Sequence, residues 1–321
     1  MKREQLIALV GPTAVGKTEI GIRLARELDG EVVSGDSMQI YKGMDIGTAK
    51  VMAEEMNGVP HHMIDIKEPE EPFTVADFQQ AATSAIARIH EQGKLPILVG
   101  GTGLYVQAVT HEFDFAESES DETFRAEMEA FVSEYGEKAL HQELALSDPA
   151  AGEAIHANNV RRVIRALEVM HVSGKRFSEQ ESTQPLPRYD VTMIGLTMER
   201  GRLYERINRR VDLMMEAGLE KEVRCLFEND VGGQAIQAIG YKELYAHFRG
   251  ECSLDEAVDR LKQNSRRYAK RQLTWFRNRT NTTWFDVGES DRQTVFQKIL
   301  EFVQEMTGNE TNIEKEEKGR D

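Results

Sequence analysis

The sequence predicts an α/β protein: a parallel sheet with helices on both faces, plus a helical insertion domain. Three observations point there. Short apolar runs alternate with stretches of helical spacing through the first 112 residues, a glycine-rich loop joins the first run to the first helix, and between 113 and 182 only helical periodicity remains. The expected division is a catalytic core from 1–112 and 190–288, the insertion at 113–182, and an acidic, partly disordered tail at 289–321.

In chain order, Leu6-Ile7-Ala8-Leu9-Val10 reads as the first strand and is followed at once by GPTAVGKT, residues 11–18. This is G-x-x-x-x-G-K-T in its strand–loop–helix setting, so the sheet expected is P-loop NTPase-like. Gly11 and Gly16 let the loop turn its N–H groups inward, and Gly11, Pro12, Thr13, Ala14, Val15, Gly16, Lys17 and Thr18 together form a cradle for a diphosphate or nucleotide. A helix from about 17 to 28 aims its positive end at the same anion. Lys17 adds a full charge, and the Thr18 hydroxyl is placed to hold Mg2+. Glu31-Val32-Val33-Ser34 is a second, short strand. Thr74, with Asp77 three residues on, caps a helix over 74–92, and Leu95-Pro96-Ile97-Leu98-Val99 is the third strand. Ligands of such sheets gather at the carboxyl ends of the strands, so the loops after all three should meet in one cleft.

Beyond 112 the stretch 160–172 places apolar residues at 160, 163, 164, 167 and 170, which leaves Arg161, Arg162 and Arg165 off the stripe. Gln184-Pro185-Leu186-Pro187 reads as a linker, and 191–196 returns to strand. Two basic helices follow. The first repeats Arg202, Arg206 and Arg210 beside Leu203, Ile207, Val211 and Met214; three guanidinium groups on one face suit an anion clamp or a solvated face. The second, about 255–278, interleaves Arg266, Arg267, Lys270, Arg271 and Arg277 with Tyr268, Trp275 and Phe276, as a nucleic-acid strand or an ordinary core-facing helix would need.

Composition narrows the class. The 321 residues are 40% hydrophobic and 30% charged, as in a soluble globular protein, and no apolar run approaches the ~18 residues of a membrane span. No export signal is expected, and the isolated Cys225 and Cys252 suit a reduced, cytoplasmic setting. A net charge of −15 would speak against a polyanionic partner, yet the basic residues are clustered, which permits local binding.

The loops are the most informative. After the second strand stands Asp36, a candidate magnesium ligand, general base or turn cap. The third strand ends in Gly100-Gly101-Thr102-Gly103 with no acid, where many phosphotransferases and ATPases keep an Asp for the magnesium shell. Glycines there let the backbone approach something bulky, which weakens a plain ATPase reading.

GPTAVGKT, DSMQIYKGMDIGTAK (36–50), PHHMIDI (60–66), GGTGLY (100–105), RALEV (165–169), IGYKE (239–243) and KRQLTWFR (270–277) occur in order, and together they resemble the bacterial tRNA dimethylallyltransferase (tRNA isopentenyltransferase) family over nearly all of 5–287. The resemblance implies transfer of a dimethylallyl group from dimethylallyl diphosphate to the N6 amine of adenosine 37 of tRNA. It implies that the cradle holds the donor diphosphate with Mg2+ rather than ATP. Asp36 matches the family's general base. Ser37, Gln39 and Thr102, with Met38 between the first two, fall where the family contacts the target adenosine. Arg202, Arg206 and Arg210 would close over the diphosphate, with Arg206 counted among the catalytic groups beside Asp36 and Thr102. Arg161, Arg162, Arg165, Lys270, Arg271, Trp275 and Arg277 would grip the anticodon stem-loop. A monomer is expected. The zinc finger of eukaryotic relatives is ruled out by having only two cysteines. An adenylate isopentenyltransferase acting on free nucleotides and a P-loop small-molecule kinase using ATP are the alternatives; the basic-aromatic helix speaks against the first, the acid-free third strand against the second.

Overall fold

A computed structural model describes residues 3–113, 121–180, 185–288 and 291–308. The chain falls into two compact units, Met1–His111 with Pro187–Asp321, and Glu112–Leu186.

The first unit is built on β1 (Gln5–Val10), α1 (Lys17–Glu27), β2 (Gly30–Ser34), β3 (His61–His62), α2 (Val75–Glu91), β4 (Leu95–Gly100) and α3 (Gly103–Thr110). The second unit holds α4 (Glu122–Tyr135), α5 (Glu137–Ser147), α6 (Pro149–Ala154), α7 (Val160–Ser173) and α8 (Phe177–Gln180). The first unit resumes with β5 (Asp190–Thr197), α9 (Arg200–Glu216), α10 (Leu219–Glu228), α11 (Tyr241–Phe248), α12 (Leu254–Arg279), β6 (Thr283–Asp286) and α13 (Arg292–Thr307).

Six parallel strands lie in the order β3-β2-β4-β1-β5-β6. The period-2 alternation of a strand explains why β1 is apolar from Leu6 to Val10. Leu6 and Val10 pack with Phe78, Ile86 and Phe276 of α2 and α12, while Ile7 and Leu9 pack with Ile22 of α1, Ile207 of α9 and Ile299 of α13. Thr74 caps α2 through a reciprocal pair with Asp77, whose backbone N–H donates to the Thr74 hydroxyl at 3.2 Å.

Two strands escape the sequence reading. β3 has two residues and β6 four, both half-buried at the sheet edges, too short for an alternation to register. The larger difference lies beyond 288, expected as an acidic tail. Residues 292–307 form α13, which Asp291 caps and which buries Val295, Phe296, Ile299, Leu300 and Val303. That spacing is an ordinary amphipathic stripe, masked in the reading by its charged flanks. The tail residues from 309 lie outside the described residues.

In the second unit Glu168 is fully buried on α7. Burial opposes its charge, but hydrogen bonds from Arg165, Arg125 and the Asp121 N–H outweigh this and hold its carboxyl below the ordinary range. Arg165, expected to face RNA, therefore donates to Glu168 at 2.6 Å, whereas Arg161 is exposed and Arg162 half-buried.

Candidate active site

The phosphate loop leaves β1 at Gly11 and enters α1 through Gly16, whose φ of 107° only glycine adopts without strain; Ala14, at φ 64°, also bends the loop inward. The amino group of Lys17 donates back to the carbonyls of Gly11 (3.0 Å) and Pro12 (2.8 Å). Burial lowers its pKa to about 8; Asp36 opposes the shift and the Arg210 charge adds to it. The Thr18 hydroxyl stands at the rim with no hydrogen-bond partner among the described residues.

The loops after β1, β2 and β4 do converge. Between them lies a cavity of about 120 Å³. Lys17, Thr18 and Asp36 line its polar side, and Val32, Val51, Ile64 and Val99 give an apolar recess beside Gly100. A second cavity of about 300 Å³ shares Thr13, Asp36 and Arg210 with the first and is walled by Ser37, Met38, Met214, Tyr268 and Arg271. Asp36 and Arg210 thus stand where the two cavities adjoin.

Asp36 is held rather than loose. Its Oδ1 accepts from the Met38 N–H at 2.8 Å, a local turn, while Oδ2 accepts no hydrogen bond among the described residues. The carboxylate therefore serves as a turn cap and still presents an oxygen. Gln39, expected at the adenosine, spends its amide on the protein. Its Oε1 accepts from the Ser34 hydroxyl at 2.9 Å and its Nε2 donates to the carbonyls of Thr48 (3.3 Å) and Ala49 (3.4 Å).

Three residues of α12 at helical spacing, Tyr268, Gln272 and Trp275, press onto the loop after β4. Gln272 is buried; its Nε2 donates to the Gly101 carbonyl at 2.9 Å and its Oε1 accepts from the Thr13 N–H at 2.8 Å. The Thr102 hydroxyl lies 3.3 Å from the Tyr268 hydroxyl and takes no part in capping α3. Burial, reinforced by Asp36, pushes the Tyr268 phenol up to about 12, so it stays neutral. The glycines have a different cause from the one expected. A Cβ on Gly101 would come within 2.1 Å of the Gln272 amide, and one on Gly103 within 2.3 Å of the Trp275 ring. They admit the protein's own side chains. Trp275 accordingly lies on Gly103, with Phe276 beneath it in the core. Arg271 is exposed at the second cavity, Lys270 is exposed away from it, and Arg277 sits 5.5 Å over the ring of Trp284 on β6.

Two supports were missed altogether. Gln272 is one. Glu222 on α10 is the other; it accepts from the N–H groups of Asp45 (2.9 Å), Ile46 (2.7 Å) and Gly47 (3.0 Å) and from the Tyr241 hydroxyl (2.6 Å). Buried Lys50 binds the Tyr41 carbonyl, Asp45 and Asp65, so the irregular wall from 44 to 50 is fixed from both sides. For Gln272→Leu we expect a folded protein whose kcat/KM falls about tenfold or more, because the Thr13 N–H, in a half-buried stretch of the phosphate loop, loses the partner that fixes it, at a cost of about 1–3 kcal/mol. Thermal melts alongside steady-state kinetics check this; wild-type kinetics would show that the strut is dispensable.

The three arginines of this face do not line one common cavity. Arg210 lines both cavities, and burial lowers its pKa against the pull of Asp36. Arg206 lines a wider opening that reaches Gly16 and Thr18. Arg202 turns away, donating to the Gly288 carbonyl.

Known proteins resemble this chain over most of its length. Residues 39–279 match the family model described as IPP transferase. The chain belongs to the IPP transferase family. It is 61% identical over 303 residues to a tRNA dimethylallyltransferase of Shouchella clausii, covering 94% of this chain and 97% of that one. Among solved structures, it resembles the full-length tRNA isopentenylpyrophosphate transferase of Bacillus halodurans (TM-score 0.74, 56% identity, 95% and 97% covered). It also resembles a eukaryotic dimethylallyltransferase described as acting on tRNA (TM-score 0.81, 27% identity, 96% and 81% covered). The α/β fold with a single parallel sheet is that of these transferases. Among the described residues no helix is long and apolar enough to cross a membrane.

Proposed function

We propose that this chain transfers the dimethylallyl group of dimethylallyl diphosphate to the N6 amine of adenosine 37 of tRNA, giving N6-isopentenyladenosine and diphosphate. One observation carries the reading: the cradle for phosphates opens on an apolar recess, and Asp36 stands between that recess and a second cavity.

The loop amides and Lys17 bind the donor diphosphate. As the bond between the allylic carbon and oxygen breaks, its electron pair goes to the diphosphate, where fixed donors and Arg210 meet the growing charge. The N6 lone pair forms the new carbon–nitrogen bond, and the N6 proton passes to Asp36 Oδ2. An aryl amine is a weak nucleophile, so this base and the placement of the amine both matter.

Among the described residues no group of three or more His, Cys, Asp or Glu side chains could hold a metal by itself. The Thr18 hydroxyl, exposed at the phosphate rim and without a partner among the described residues, nevertheless fits a hard, largely hydrated cation paired with a diphosphate. Thr18 would hold Mg2+ there, and the ion would neutralise charge on the leaving group.

The second cavity takes the adenosine, unstacked from its loop, against Ser37, Met38 and Tyr268, with Thr102 behind the Tyr268 hydroxyl, while Gln39 shapes the wall rather than touching the base. Arg271 and Lys270 from the core, and Arg161 and Arg162 from the insertion, meet RNA phosphates in a single-stranded loop. The chain works as a cytoplasmic monomer. Incubation with radiolabelled dimethylallyl diphosphate and unmodified tRNA, AMP or neither tests the reading. Label should enter the tRNA alone; label in AMP, or transfer of the γ-phosphate from ATP to a small molecule, would overturn it.

A further inference from the structure

A concentration of positive charge outside the phosphate loop is left unused by this reaction. Along α9, Arg202, Arg206 and Arg209 recur at helical spacing, and Arg292 joins them from the first turn of α13. With Met198, Glu205, Val287 and Gly288 they line a cavity of about 460 Å³, in which Glu205 is the only acidic lining residue among the described residues.

The arginines are poorly neutralised. Arg206 and Arg209 form no hydrogen bond or ion pair among the described residues, and Arg292 meets Glu19 only across an exposed 3.6 Å. Arg202 is pinned to the cavity wall by its bond to the Gly288 carbonyl. Burial first, and then the charge of Arg292, depress the Arg206 pKa; Glu19 pulls the other way, and Arg202 adds a smaller push downward. The cluster is also continuous with the phosphate loop. Arg206 and Arg209 line the wider opening that holds Gly16 and Thr18, and the Arg206 guanidinium lies 4.0 Å from where a Cβ on Gly16 would stand.

We propose that Arg202, Arg206, Arg209 and Arg292 form a second anion site, which takes the diphosphate group of a small molecule passing between solvent and the phosphate loop. The assignment rests on the reading that the loop holds a prenyl diphosphate. Four guanidinium groups around one concavity suit a multiply charged phosphoryl group, which each can grip bidentately. The concavity shares Arg206 and Arg209 with the opening that holds Gly16 and Thr18, and no lining residue with the adenosine cavity, which favours the donor, or the diphosphate product leaving, over an RNA backbone. Such a site concentrates the donor at the mouth and raises its capture rate in a salt-dependent way.

Calorimetric titration of the full chain with inorganic pyrophosphate separates the two sites. Wild type should bind two equivalents, Lys17→Ala one, and Lys17→Ala combined with Arg209→Gln and Arg292→Gln none. In turnover at low salt, Arg209→Gln/Arg292→Gln should lower kcat/KM for dimethylallyl diphosphate about tenfold through the donor KM, and the deficit should shrink to about twofold in high salt. A single equivalent that Lys17→Ala removes entirely would overturn the second site, as would a double variant whose defect lies in the KM for tRNA. Loss of the arginine-dependent equivalent alone, with Lys17→Ala binding as wild type does, would instead overturn the reading of the phosphate loop.

Discussion

Asp36→Asn should lower kcat by about 10²–10⁴ while leaving tRNA affinity within about twofold. Asparagine keeps the side-chain oxygen that accepts the Met38 N–H at 2.8 Å, so the turn survives, but it offers no base at the position of the free oxygen. The substitution thereby separates the two duties of this carboxylate, which Asp36→Ala would remove together. Single-turnover transfer measured beside equilibrium binding of unmodified tRNA reads both. Near-normal turnover would make Asp36 a turn cap only, and collapse of tRNA binding would make it structural.

The second large effect is expected at Lys17. Its amino group spans the phosphate loop through the Gly11 and Pro12 carbonyls and carries the charge nearest the bound diphosphate in the proposed complex. Lys17→Ala should cost about 10²–10³ in kcat/KM for the donor, the scale of losing one fixed donor to a developing anion. Its pKa of about 8 adds a pH signature. A cation with a lowered pKa is charged below that value and loses its proton as pH rises through it. So kcat/KM for the donor should be level below about pH 8 and fall above it, approaching tenfold per pH unit, while Lys17→Ala shows no such limb. A wild-type profile that stays level to pH 10 would contradict this role.

What could be read from the sequence was what local chemistry writes into neighbouring residues. GPTAVGKT declares its loop because glycine, lysine and threonine must stand at fixed offsets between a strand and a helix, and β1, β4 and α2 declare themselves through apolar period and a threonine cap. Asp36 could be placed because it follows a strand whose carboxyl end faces the same cleft. Gln272 could not, since its two bonds reach Thr13 and Gly101, 259 and 171 residues away, and nothing local marks a glutamine as a strut. Glu222 escaped for the same reason. The glycines after β4 were rightly read as sites of close approach, but whether ligand or protein approaches depends on where α12 folds. Arg202, Arg206 and Arg210 share a helix face by spacing, yet the Gly288 carbonyl draws Arg202 away, and no periodicity contains that turn. In α7, Arg165 lies off the apolar stripe as expected, but Glu168, three residues on, is buried and claims it.

Cocrystals grown with a non-reactive dimethylallyl thiolodiphosphate, in the presence of competing ATP, probe the identity of the bound phosphate most directly. The analogue's phosphates should lie against Lys17 and the loop amides from 13 to 18, with its five carbons among Val32, Val51, Ile64 and Val99. ATP in the phosphate loop, with the analogue displaced elsewhere or absent, would contradict the proposed chemistry at its root.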